Sequence, residues 1–239
     1  MKCKIGESES NKIFEKIVLL KYNVNYYKCS NCSFVQTDEP FWLKEAYQSP
    51  ITSLDIGILI RNNSLVTEVS KIIDSCFAEA KKMLDSAGGY GIFTRMMRDI
   101  GYDFYRQDIY CENLFANYFD ITDCKEKKFD IVTAFEVLEH FSEPMKEIET
   151  IFNYSENAIF STDLTPTKDL DIENWVYISL KKLVNIYLFI QQKQCTLSQK
   201  NLKEIIIAKT IAFTFLQQKN YLKNNYHFMI MNILLKENI

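Results

Sequence analysis

Leu84-Asp85-Ser86-Ala87-Gly88-Gly89-Tyr90-Gly91, followed seventeen residues after its last glycine by Asp108, decides how this chain of 239 residues is read. A short apolar segment ends in an acid and turns through three glycines. It then opens into a helical pattern, Ile92, Phe93, Met96, Met97 and Ile100, which Gly101 ends. Glycine lets a backbone approach a ligand closely, and a helix N-terminus behind it presents free N–H groups. An acid that ends the next strand can accept hydrogen bonds from ribose hydroxyls. Glycines alone would fit any tight turn. Strand, turn, helix, strand and acid in this order point to a nucleotide-type pocket.

The flanking sequence continues the alternation. Ile58–Glu79 carries Leu65, Val69, Ile72, Ile73 and Cys76 at helical spacing, and Lys82–Asp85 is a first strand. Tyr102–Asp108, Phe129–Phe135 and Asn157–Thr162 read as further strands. Between the last two, Ser142-Glu-Pro starts a helix with Ile148, Ile151 and Phe152 inward. Strands separated by helices define an α/β fold, a Rossmann-like parallel sheet with helices on both faces.

Composition narrows the class. The chain is 47% hydrophobic and 25% charged with a net charge of −3, which argues against a general nucleic-acid binder. The longest apolar stretches, Leu183–Ile190 and Ile205–Leu216, are too short or too interrupted by lysine to span a bilayer, so no membrane partner is expected. No apolar run follows the basic start, so the expectation is an unexported, cytoplasmic chain. Its seven cysteines then read as reduced thiols or metal ligands.

Three parts follow: a cysteine-knuckle segment over 1–45, the α/β domain over 46–175, and an atypical tail over 176–239. From Val176 onward there are nine lysines, no arginine or aspartate, and only Glu204 and Glu237 as acids. Every glycine lies at or before Gly101 and every proline at or before Pro166, although turns of an α/β domain favour such residues.

Several of these features together resemble a family. Cys3, the knuckle Cys29-Ser-Asn-Cys32, the run Glu39-Pro-Phe-Trp-Leu-Lys-Glu-Ala-Tyr47, the glycine turn and Phe129-Asp-Ile-Val-Thr-Ala-Phe-Glu-Val-Leu-Glu-His140 are similar to class I S-adenosylmethionine-dependent methyltransferases. More narrowly, residues 1 to 177 resemble bacterial enzymes with an N-terminal cysteine knuckle, related to sugar C-methyltransferases. The resemblance implies S-adenosylmethionine as cofactor and a small-molecule or sugar-like acceptor, nucleotide-linked forms included. It places Asp85 near the cofactor's amino-acid end and matches Gly89 and Gly91 to family glycines. Gly88 lies within the same turn, and Ala87 stands where a further glycine is usual. Asp108 matches the ribose-binding acid. Phe135 and Glu136 border the methionine moiety, and Asp120 is within reach of the adenine amine. No catalytic residue and no oligomeric state are assigned.

Other readings stand beside these. Glu136, Glu139 and His140 also suit the capping of a helix's first turn, and His140 is read as structural. A dinucleotide oxidoreductase would share the glycine turn, but no nicotinamide-site residues accompany it. Met96 and Met97 pack in the core, and Cys76, Cys111, Cys124 and Cys195 are buried thiols.

The knuckle and the tail both depart from the family. A structural zinc ion takes four ligands, typically from two Cys-x2-Cys turns. Cys29 and Cys32 make one turn, but the other runs Cys3-Lys-Ile-Gly6, which leaves Cys3, Cys29 and Cys32 as candidate ligands, with water or Glu7 as a fourth. In the resembling enzymes a Gly-Gln-His motif follows a Trp-Trp-Tyr-Tyr-like run. Here Asn174-Trp-Val-Tyr177 begins that run, and no histidine occurs between His140 and His227. Codon junctions from Leu183 to Ile190 permit Gly-Gln-His-Ile-Ser-Phe-Tyr in a shifted frame. The expectation is therefore a frame-shifted tail that leaves the sheet edge bare, and the alternative function is a catalytically impaired, cofactor-binding remnant.

Overall fold

The computed structural model describes residues 1–42, 45, 56–162, 165–166, 168–175 and 178, together with the strand backbone of 188–189, 205–206 and 227–233. Ala46 and Tyr47, Val176 and Tyr177, the junctions over 183–187, and Cys195 lie outside the described residues. The chain divides into two compact units, one of residues 1–48, 136–148 and 160–239, the other of 49–135 and 149–159.

The first unit opens with an antiparallel meander that the sequence reading does not contain. Strands β1 (Ser10–Val18), β2 (Tyr22–Cys29) and β3 (Val35–Thr37) pair in order. The β1–β2 turn has Leu19 at φ 51° and Leu20 at φ 62°, with the Lys21 N–H donating to the Val18 carbonyl at 3.1 Å. Two consecutive left-handed residues make a hairpin turn that Asn-Gly would announce and Leu-Leu conceals. Val24, Tyr26, Phe34, Val35 and Trp42 fill the core of this segment.

The second unit carries the expected alternation. Helix α1 (Ile58–Cys76) buries Leu65, Val69, Ile72 and Ile73. Cys76 is exposed, not buried as expected, because the helix ends there instead of at Glu79 and the chain leaves its apolar face. Strand β4 (Lys82–Ser86), helix α2 (Ile92–Asp99), strand β5 (Asp103–Gln107) and strand β6 (Ile131–Phe135) follow. Phe93 and Met97 of α2 are buried and Met96 is half-buried. Ile100, expected inward, is 53% exposed, since it follows the last helical residue and turns away from that face.

Strand β4 lies between β5 and β6, parallel to both, with Asp85 opposite Arg106 on one side and Thr133 on the other. Met83, Leu84, Phe104, Ile131, Val132 and Ala134 are almost wholly buried, as strands covered on both faces require. The parallel α/β reading is thereby confirmed.

Helix α3 (Pro144–Phe152) starts at the expected proline; Ile148 and Ile151 are buried, Phe152 half-buried. Strand β7 (Asn157–Thr162), the short helix α4 (Asp169–Glu173) and strands β8 (Leu188–Phe189), β9 (Ile205–Ile206) and β10 (His227–Ile233) complete the chain. The larger sheet has the order β5-β4-β6-β7-β10-β9, and β9 and β10 are antiparallel. No helix among the described residues is long and apolar enough to cross a membrane.

Candidate functional site

The candidate site grows from the end of β4. Asp85 is 2% exposed, and its two carboxylate oxygens accept from the Thr133 hydroxyl at 3.0 Å and the Thr94 hydroxyl at 3.1 Å. Burial pushes this carboxyl up to about 7, against the opposing pull of those hydroxyls and of the Arg106 charge.

Above Asp85 the chain turns through Ala87 at φ 55°, Gly89 at φ 55° and Gly91 at φ 86°. A Cβ on Gly88 would lie 2.5 Å from Asp85 Oδ2, and one on Gly91 would lie 2.9 Å from the Ala116 Cβ. These two glycines are therefore required by close approach. Ala87 is in the left-handed region without the freedom of glycine, so the family departure appears as backbone strain. Helix α2 begins directly after Gly91, and no side chain caps it.

Asp108 follows β5 and closes the turn. Its Oδ2 accepts from the Gly89 N–H at 2.9 Å, and its Oδ1 accepts from the Tyr110 and Cys111 N–H groups at 2.7 and 2.9 Å. A carboxylate offers about four lone-pair positions, so one remains for a ligand hydroxyl. Ile109 and Tyr110, directly after it, are 77% and 62% exposed and present apolar surface beside the acid. Phe135, at the end of β6, packs edge-on against Phe93 with ring centroids 5.0 Å apart. Asp85, Ala87, Gly88, Gly89, Gly91, Asp108 and Phe135 all belong to the second unit.

One component escaped the sequence reading. Arg106 is 2% exposed, and its guanidinium donates to the Gly89 carbonyl at 2.5 Å, to Asp120 Oδ2 at 2.7 Å and to the Cys111 carbonyl. It ties three segments together beneath the turn. The alternation of β5, with Phe104 and Arg106 on one side, marks position 106 as inward-facing and so a buried charge. Asp120, a candidate for the adenine amine, is the partner of this arginine.

Glu136 belongs to the first unit. It sits in the left-handed region at φ 52°, its N–H donates to the Ser161 carbonyl at 2.9 Å, and its Oε1 accepts from the Ser161 hydroxyl at 2.7 Å. Glu139 is buried and accepts from the Thr162 hydroxyl at 3.0 Å. Through these bonds both acids are tied to the end of β7. A 3-10 turn spans Leu138–His140, and α3 has its own cap, in which the Glu143 N–H donates to Glu147 Oε1 at 3.0 Å. His140 is half-buried within that turn. The candidate metal ligands Cys3, Cys29 and Cys32 lie in the same unit, with sulfur atoms all within 4.8 Å of one another. Cys124 is buried and Cys111 half-buried; burial raises both thiols, Cys111 to about 11, which makes them poor nucleophiles.

A parallel sheet whose first strand ends in an acid and a tight glycine turn, bonded to an acid after the neighbouring strand, defines a nucleotide-type α/β binding domain. The profile of a methyltransferase domain family matches residues 61–206, more than half of the chain, and the chain belongs to that family. None of the curated proteins matches it. Solved structures resemble it at low identity. Magnesium protoporphyrin IX methyltransferase from Synechocystis PCC 6803 with bound SAM is 13% identical, over 79% of this chain and 88% of that one, with a TM-score of 0.47. The putative methyltransferase in complex with the Haloferax volcanii Trm112 activator is 11% identical, over 75% and 95%, with a TM-score of 0.48. The plantazolicin methyltransferase BpumL, solved in complex with a triazolic desmethylPZN analogue and SAH, is 12% identical, over 80% and 89%, with a TM-score of 0.45.

Proposed function

We propose that the chain transfers a methyl group from S-adenosylmethionine to a small-molecule or sugar-like acceptor. The observation that carries this reading is the cluster of Asp85, the glycine turn and Asp108, joined by the Gly89 N–H to Asp108 hydrogen bond. The cofactor fits these residues on physical grounds. Gly88 and Gly91 keep the turn free of side chains, Asp108 retains an acceptor position for a ribose hydroxyl, and Ile109 and Tyr110 offer apolar surface to a purine. When bound, S-adenosylmethionine supplies a sulfonium-activated methyl carbon.

The chain's own part is to bind, align and keep water out. Asp108 accepts from the ribose, while Ala87, Gly88, Gly89 and Gly91 bring backbone close to the nucleoside. Asp85, at the end of β4, lies near the cofactor's amino-acid end. Phe135, at the end of β6, borders the methionine portion. An acceptor that loses a proton on attack also needs a base, and no described residue is assigned to that role. The resemblance of the knuckle and of Phe129–His140 to sugar C-methyltransferases supports a sugar-like acceptor.

Calorimetric titration with S-adenosylhomocysteine, beside NAD, tests the pocket. Micromolar binding of the former alone is expected. A cooperatively melting protein that binds neither, or NAD alone, would overturn the reading.

A second reading rests on the codon junctions from Leu183 to Ile190. In it, the parts 1–45 and 46–175 are intact and the tail from about Val176 comes from a shifted frame, so the chain binds cofactor without turning over. Sequencing the locus decides this: no single-base change near codons 175–178 that restores the histidine motif sinks it.

A further inference from the structure

We propose that Cys3, Cys29 and Cys32 form a three-thiolate site for a divalent thiophilic cation such as Zn²⁺, whose fourth coordination position is left to an exchangeable exogenous ligand because Gly6 stands where a fourth thiolate would belong.

The two loops that carry the thiols are built alike. In the first, the Glu7 N–H donates to the Cys3 carbonyl at 3.2 Å and the Gly6 N–H to the Cys3 sulfur at 3.1 Å. In the second, the Ser33 N–H donates to the Cys29 carbonyl at 3.0 Å and the Cys32 N–H to the Cys29 sulfur at 3.5 Å. Glu7 and Ser33, each four residues after the leading cysteine, both take left-handed backbone, at φ 54° and 63°. By offset, hydrogen bond and backbone, Cys3 corresponds to Cys29 and Gly6 to Cys32. In both loops a backbone N–H is thus aimed at the sulfur of the leading cysteine.

Distances agree with coordination. The Cys3 and Cys32 sulfurs are 3.7 Å apart, too far for a disulfide. Tetrahedral zinc with Zn–S bonds of about 2.3 Å places its sulfurs roughly 3.8 Å apart. None of the three is in a disulfide, and all are almost wholly buried. A Cβ on residue 6 would stand 2.9 Å from the Cys32 sulfur and 3.7 Å from the Cys29 sulfur, so position 6 points among the ligands yet supplies none.

Glu7 does not take the place. Its side chain is 79% exposed and pairs with Lys2 Nζ at 3.6 Å. Three protein ligands and one exchangeable position are the pattern of an open metal centre, whereas closed structural sites use four. Such a centre exchanges its fourth ligand with small donors in solution, and a four-thiolate knuckle cannot.

Cobalt is the probe. The full chain is loaded with Co²⁺ and its absorption spectrum followed during imidazole titration, beside Gly6→Cys and Cys32→Ser. The native chain should take one equivalent and its spectrum should shift with imidazole. Gly6→Cys should hold cobalt about tenfold more tightly or better in chelator competition and show no shift, and Cys32→Ser should lose the metal. No cobalt uptake by a cooperatively melting native chain overturns the proposal, as does a spectrum indifferent to imidazole. Should Gly6→Cys fail to fold, the imidazole titration of the native chain decides alone.

Discussion

The Gly89 N–H donates to Asp108 Oδ2 across 2.9 Å, so the turn after β4 and the acid after β5 are one hydrogen-bonded object. Two further N–H groups fix the other oxygen. The carboxylate is thus held in place before any ligand arrives, which lowers the ordering cost of binding. Asp108→Ala removes both the acceptor and the turn's anchor. A hydrogen bond to a charged group contributes about 1.5–3 kcal/mol. Affinity for S-adenosylhomocysteine should fall by roughly 10- to 150-fold in calorimetry, with the far-ultraviolet circular dichroism unchanged. Unaltered affinity would exclude Asp108 from the pocket.

Ala87 and Gly88 should respond in opposite directions. Ala87 holds φ 55° without the freedom of glycine, and left-handed backbone costs an ordinary residue about 1–2 kcal/mol. Glycine's larger unfolded-state entropy takes back part of that gain. Ala87→Gly should therefore stabilise by about 0.5–1 kcal/mol in urea unfolding. At Gly88 a Cβ meets Asp85 Oδ2 at 2.5 Å and Arg106 Cγ at 3.1 Å. Overpacking of that kind costs about 1–3 kcal/mol, so Gly88→Ala should lower the midpoint. Equal effects of one sign would refute this account of the turn.

The buried Asp85 carboxyl gives stability a pH dependence of definite sign. Its ordinary value of 3.8 is raised to about 7 in the folded chain, chiefly by burial, with Arg106 lowering it and Asp108 raising it. Between those values the folded state binds more protons than the unfolded state, so stability from this group is complete below about pH 4 and is lost as pH rises through 7. Asp85→Asn keeps the shape and removes the charge. The variant's melting temperature minus that of the native chain should rise steadily from pH 4 to 7.5. A flat difference would mean that Asp85 titrates normally.

Arg106 explains part of what the sequence could hide. The glycine turn, Asp108 and the parallel strands were legible because each has a local signature: a residue type forced by backbone shape, or a buried apolar run. For Arg106 the alternation of β5 marks only an inward-facing position and names none of its partners. Its role comes from three segments, at Gly89, Cys111 and Asp120, that only the folded chain assembles. The same holds for Glu136 and Glu139, whose partners Ser161 and Thr162 stand more than twenty residues away. Conversely Cys76 and Ile100 fit their helical patterns but lie at or just beyond helix ends, where periodicity stops predicting burial.

Replacing Arg106 should therefore damage stability and the pocket together. Arg106→Met leaves two carbonyls and the Asp120 carboxylate without their donor, and breaking a buried pair costs about 3–5 kcal/mol. Asp120→Asn should restore part of the loss in the double variant. A double-mutant cycle in urea, with S-adenosylhomocysteine affinity measured on each protein, separates the pairwise energy from the support given to Gly89. Additivity of the two substitutions would show that the ion pair contributes nothing.

The β1–β2 turn offers the clearest separation between local preference and tertiary demand. Leu19 and Leu20 both hold left-handed backbone in a hairpin turn where Asn-Gly would be at ease, and Leu20 is 59% exposed and gains little from burial. Each residue carries about 1–2 kcal/mol of backbone cost, offset at Leu19 by its partial burial. Leu19→Asn combined with Leu20→Gly should stabilise the chain by about 1–2 kcal/mol in urea unfolding, with the far-ultraviolet circular dichroism retained. Because β2 runs from this turn to Cys29, a firmer hairpin also fixes one knuckle of the thiol site, and cobalt affinity should rise or stay unchanged. Destabilisation by the pair would mean that Leu19 packing, not turn geometry, sets the hairpin.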